Sequence, residues 1–140
     1  MQVDSDNIEE LLPQILANIH NSHFVAFDCE FSGLVTQLQR IEGTFPNHLE
    51  FYERIKETAL NFRIIQLGIS AFEFREGTYV PHVYNFYVSP QTYTTGFNNV
   101  MVCEVDSMEF LAKNNLDFSR VFKKGIRSTR LYSEDPLQTH

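Results

Sequence analysis

The chain has little cysteine, no long apolar run and few positive charges, and each shortage closes off a class of function. Its two cysteines, Cys29 and Cys103, make no CxxC pair and no disulfide framework, which suits a reducing compartment. The longest apolar stretches, such as Phe24 to Phe27, fall far short of the ~20 residues a membrane-spanning helix needs. The N-terminus, Met-Gln-Val-Asp-Ser-Asp-Asn, is acidic and lacks the apolar segment of a secretory signal. A soluble intracellular protein, nuclear and/or cytoplasmic, with no membrane segment, is therefore expected. The 11 Lys and Arg stand against 18 Asp and Glu, a formal charge of −7. That balance argues against broad duplex binding, which needs a basic stripe. It leaves room for an enzyme that grips a strand end through a metal site, where bound cations neutralise the phosphates.

What is present is one domain's worth of core. A hydrophobic share of 43% over 140 residues, with 13 Phe, excludes disorder as the main state. Ile8, Leu11, Leu12, Ile15, Leu16 and Ile19 recur at helical spacing, and Asp6 with Glu9 gives a capping-box-like start. Pro13 implies a kink or a late start in that helix. Phe24 to Phe31 predicts a strand, and its apolar first half predicts a central position with both faces buried. Residues 33–46 read as a loop. The next helix is capped by Asn47 and Glu50 and carries Leu49, Tyr52, Ile55, Ala59 and Phe62 on one side.

Two strands, Arg63 to Phe74 and Tyr79 to Val88, flank Arg75-Glu76-Gly77-Thr78 and predict an antiparallel hairpin. Ser89 to Asn99 is turn-rich. Asp106 and Glu109 open a short helix, and Asp117 opens another that stops at Gly125. After Ile126 the chain is polar and irregular. The fold class is thus α/β, a central strand plus an antiparallel hairpin flanked by helices.

Chemistry concentrates at Asp28 and Glu30. Two residues apart on a strand, they present both carboxylates on one face, while Cys29 points the other way and reads as core. Adjacent carboxylates repel, and burial makes each costlier, so the pair needs solvent, a basic partner or a divalent cation. Spacing alone favours the plainer solvated or salt-bridged pair. The apolar residues before it, and Phe31-Ser32-Gly33-Leu34 after it, with a glycine that admits a ligand to the backbone, raise the metal reading.

The segment Phe-Val-Ala-Phe-Asp-Cys-Glu-Phe-Ser-Gly-Leu resembles the first exonuclease motif of the DEDD superfamily. The resemblance is closest to the poly(A)-specific ribonuclease/CAF1 family and its piRNA-trimming relatives. Phe62 to Ser70, Tyr84 to Val88, and Phe110 through Asp117-Phe118 to Ile126 look like that family's later blocks, in order. The match covers about residues 5–126, leaving 127–140 as a divergent polar tail. The resemblance implies a partial RNase H-like (DEDD exonuclease) fold and a 3′→5′ exoribonuclease acting on the 3′ end of single-stranded RNA. It implies a two-metal site for Mg²⁺ or Mn²⁺, with Asp28 and Glu30 as the metal-binding, catalytic carboxylates. Phe31 and Leu34 become candidate contacts to terminal bases, with plain core packing as the alternative, and Ser32 and Gly33 line the approach.

Two further aspartates and a general-base histidine complete the site in that family. Asp106 and Asp117 sit at expected helix caps, Asp135 lies in the tail, and His20, His23, His48, His82 and His140 have no matching context. The densest basic run is Arg120, Lys123, Lys124, Arg127 and Arg130, and its part from Lys123 to Arg130 reads as a solvated helix end, with phosphate contact as the alternative. Three readings follow: a metal-dependent nuclease with half of its site, a catalytically inactive RNA- or partner-binding fragment of one, and an unrelated α/β domain. A sheet lacking later strands also predicts an open apolar edge, and with it poor solubility or a homodimer.

Overall fold

A computed structural model describes residues 1–34, 47–92 and 100–128. Its elements are β1 (Gln2–Val3), α1 (Ile8–Asn21), β2 (Phe24–Phe31), α2 (His48–Asn61), β3 (Ile64–Arg75), β4 (Thr78–Thr92), α3 (Val105–Lys113), α4 (Phe118–Lys124) and β5 (Ile126–Ser128). The sheet order is β1-β4-β3-β2, with β5 also pairing β4. β2, β3 and β4 are antiparallel neighbours, whereas β1 and β5 join β4 in parallel. The expected loop over 33–46 lies mostly outside the described residues, as do 93–99 and the tail from 129 onward.

The hairpin forms where the Gly-containing connection placed it. Glu76 and Gly77 both adopt positive φ (49° and 83°), the condition for a two-residue turn whose twist matches its strands. α2 begins with the expected capping box, in which Glu50 N–H donates to the Asn47 side chain and Asn47 N–H to Glu50. α4 is capped by Asp117, which accepts from Arg120 N–H. α1 differs from expectation at its start. Asn7, not Asp6, occupies the cap, and the helix starts at Ile8 and continues past Pro13, with no late start. The irregular stretch expected after Ile126 is also corrected, since Arg127 and Ser128 belong to β5 and pair with β4.

Two apolar clusters hold the domain. Val3, Ile15 and Tyr84 join α1 to the sheet, with Ile8, Leu11, Ile19 and Phe86 packed around them. Ile65, Tyr87, Leu111 and Val121 join α3 and α4 to it. Between them Asp4, 2% exposed, receives the Arg120 guanidinium at 2.6 Å, and Arg120 also lies over the Tyr87 ring at 4.9 Å. Burial pushes the Asp4 carboxyl up. The Arg120 hydrogen bond, the Asp6 N–H and the nearby cations outweigh it and hold Asp4 below its ordinary range. Lys124 pairs with Asp6 at 2.6 Å while staying half-exposed, so Arg120 and Lys124 both tie α4 to the N-terminal segment.

The position of β2 is the main correction. Its apolar sequence predicts a central buried strand, yet among the described residues it pairs only with β3 and forms the sheet edge. Phe24, Val25 and Phe27 are exposed, Phe27 by 76%. Its composition answers to a covered strand, and no described element covers it. α2 behaves alike. Leu49, Tyr52 and Ile55, predicted to form its apolar side, are all exposed.

Candidate active site

Register brings Asp28 and Glu30 together as their spacing required. Asp28 pairs with Gly68 and Glu30 with Gln66, and both carboxylates open into a shallow cleft of about 260 Å³ on the sheet face. Gln66, Gly68, Ser70 and Asn85 line the same cleft. Among the described residues neither carboxylate forms an ion pair. Among those residues Asp28 accepts only the N–H of Cys29, at 3.0 Å. Partial burial, and then the charge of Asp28, push the Glu30 carboxyl above its ordinary range. Burial and the same two anions raise the Cys29 thiol, which leaves it poorly suited to act as a nucleophile.

A bulge between Glu30 and Phe31 re-aims the chain into a hook at Phe31-Ser32-Gly33-Leu34. Ser32 anchors it. Its hydroxyl is fully buried, donates to Val102 C=O at 2.7 Å and accepts from Arg63 N–H at 3.1 Å. Its main chain bonds to Arg63 and to Glu104. Gly33 sits where a Cβ would fall 2.8 Å from Glu104 Cβ and closer still to the Phe62 ring. Only glycine fits there. Leu34 N–H donates to the Glu104 carboxylate at 3.1 Å, which also accepts from Ser107 Oγ at 2.6 Å.

The hook walls a second cleft of about 360 Å³, lined by Cys29, Glu30, Phe31, Leu34, Glu104 and Phe110 among others. Phe31, Leu34 and Glu30 therefore share one opening. Ser32 and Gly33 instead lie buried beneath it, and their packing supports the wall. Sequence reasoning missed Gly68 and Asn85 as neighbours of the pair. The readable signal was a Gly and an Asn inside two strands, residue types that strands disfavour.

The cleft can be tested for a divalent cation on its donors. Two converging carboxylates with no counter-charge among the described residues supply hard oxygens of the kind Mg²⁺ and Mn²⁺ take, and they fit the acidic part of such a site. Among the described residues no third His, Cys, Asp or Glu joins them.

A mixed sheet with helices packed on it, and an acidic pair open on its face, defines an RNase H-like nuclease framework. Pop2p of S. pombe, solved in a Mg²⁺ and Mn²⁺ bound form, shares it with a TM-score of 0.66 at 25% identity, over 90% of this chain and 47% of that one. The CAF1 family ribonuclease model matches residues 3–139, and the chain belongs to that family. The match runs past Ile126, into the segment expected to depart from it. Poly(A)-specific ribonuclease PARN of Danio rerio is 27% identical over 131 residues, covering 90% of this chain and 20% of that protein. The pre-piRNA 3′-exonuclease trimmer of Bombyx mori is 30% identical over 128 residues, covering 90% and 24%. The chain thus spans about a fifth to a quarter of the curated relatives it matches.

Proposed function

We propose that the chain supplies the first two metal-binding carboxylates, and one wall of the substrate cleft, of a 3′→5′ exoribonuclease acting on the 3′ end of single-stranded RNA, a poly(A) tail or a small-RNA precursor. The observation that carries this reading is the uncompensated Asp28–Glu30 pair beside the Phe31–Leu34 opening. Asp28 and Glu30 hold Mg²⁺ or Mn²⁺. Bound there, such ions activate water and stabilise the leaving oxygen of a phosphodiester. Phe31 and Leu34 offer apolar surface on which a terminal base rests. Ser32 and Gly33 keep that surface in place from below.

Incubation with 5′-labelled oligo(A) and Mg²⁺ or Mn²⁺ tests the reading. Stepwise shortening, abolished by EDTA and by Asp28→Ala, is expected when the remaining ligands are supplied by a longer protein of the family containing this segment. Shortening that survives Asp28→Ala there rejects the assigned role.

A second reading, a catalytically inactive RNA- or partner-binding fragment, is favoured by the lack of a third metal ligand among the described residues. Half a ligand set binds metal weakly. Retention of oligo(A) by the chain without shortening is its expected signature. The edge of β2, uncovered among the described residues, supports a homodimer, because an uncovered strand is a template for another. Sedimentation showing a monodisperse monomer rejects that part. Residence inside the cell, in the nucleus and/or cytoplasm, belongs to the same proposal and rests on the cysteine usage.

A further inference from the structure

Asp28 of β2 faces Gly68 of β3, and Gly68 faces Asn85 of β4. Asp, Gly and Asn are all depleted in strands, so such a row across three of them needs a reason other than strand stability. Asn85 is half-buried, and among the described residues its amide makes no hydrogen bond. The other half-buried asparagines, Asn7 and Asn18, are both bonded. The Asn85 Oδ1 lies 3.5 Å from where a Cβ would stand on Gly68, so the amide leans over the bare glycine on the Asp28 side. The amide opens into the cleft with no protein partner among the described residues, free to bond a ligand's waters, and a glycine inside a strand marks close approach by a ligand.

We propose that Asn85 is a positioning residue for the divalent cation of Asp28 and Glu30, hydrogen-bonding to the ion's hydration shell through the gap that Gly68 leaves open. The inference rests on the metal reading of that pair. With strands about 4.8 Å apart, the Asp28 and Asn85 backbones are separated by about 10 Å. Direct ligation by both is then disfavoured for an ion that binds at about 2.1 Å, whereas Mg²⁺ keeps several of its waters and reaches further through them. Outer partners of this kind change metal affinity by about 10-fold or more.

The test is Mn²⁺ binding by the full chain, followed through the resonance of free Mn²⁺. Asn85→Ala is expected to weaken binding about 10-fold. Gly68→Ala is expected to weaken it similarly. Its new methyl would make only ordinary contacts, 3.5 Å and beyond, so the circular dichroism spectrum should not change. Should Asn85→Ala fail to fold, Gly68→Ala decides. Glu109→Gln, a surface carboxylate paired with Lys113, should leave binding unaltered. Unaltered affinity in Asn85→Ala and Gly68→Ala, with loss in Asp28→Ala, overturns this inference alone and leaves the metal pair standing. No binding by the unaltered chain overturns this inference, and full binding by Asp28→Ala overturns both.

Discussion

The sides of the sheet at β4 and at β2 are built from similar residues and end in opposite environments. Around β4, Val3, Ile15, Ile65, Tyr84, Tyr87, Leu111 and Val121 are buried beneath α1, α3 and α4. Around β2 and α2, Phe24, Val25, Phe27, Leu49, Tyr52 and Ile55 are exposed. Apolar composition is therefore common to both, and what differs is whether a neighbouring element is at hand. The charges divide the same way. Asp4 has Arg120, whereas Asp28 and Glu30 have no cation among the described residues. Asp4 is held down by its partner, and Glu30 is pushed up by burial and by the charge of Asp28. The paired side carries stability, and the uncovered side carries the candidate site.

The largest test of that contrast is Ile65→Ala. Removing a fully buried side chain from the α3–α4 cluster should cost about 3 kcal/mol or more in urea unfolding. Next comes Asp4→Asn, expected to cost about 2 kcal/mol at pH 7 because it leaves Arg120 without its buried partner. The Asp4 carboxyl is lowered from its ordinary 3.8, so the folded state binds its proton less tightly than the unfolded chain does. Its contribution is present above about pH 4 and is lost as pH falls through the lower folded value. The gap between wild type and Asp4→Asn should accordingly close in acid, read as converging urea midpoints. The smallest effect is expected from Phe27→Ser at the exposed edge, within about 0.5 kcal/mol by thermal melting. A loss there as large as that of Ile65→Ala would break the comparison, because it would mean β2 is covered in solution.

Local features were legible. The Asp28–Glu30 spacing, the Asn47 and Asp117 caps and the Glu76-Gly77 turn depend on residues a few positions apart, and each formed as its own sequence required. Long-range roles were not legible. The position of β2 depends on which strands reach it, and β2 carries no mark of how many partners it has. Ser32 read as lining for substrate. It is a buried clip, because Arg63 and Val102, distant in sequence, converge on its hydroxyl. Arg120 read only as one member of a short basic run, and Asp4, 116 residues away, claims it.

By itself, then, the sequence determined the elements, the convergence of Asp28 and Glu30 on one face, and the kinship carried by the blocks around them. Strand alternation and helix capping are short-range physics, written in adjacent residues. The tertiary structure decided which carboxylates are compensated, which apolar face is covered, and that Gly68 and Asn85 lie in one row with Asp28. Those depend on register and packing between distant segments, where the same residue types serve equally well buried or exposed.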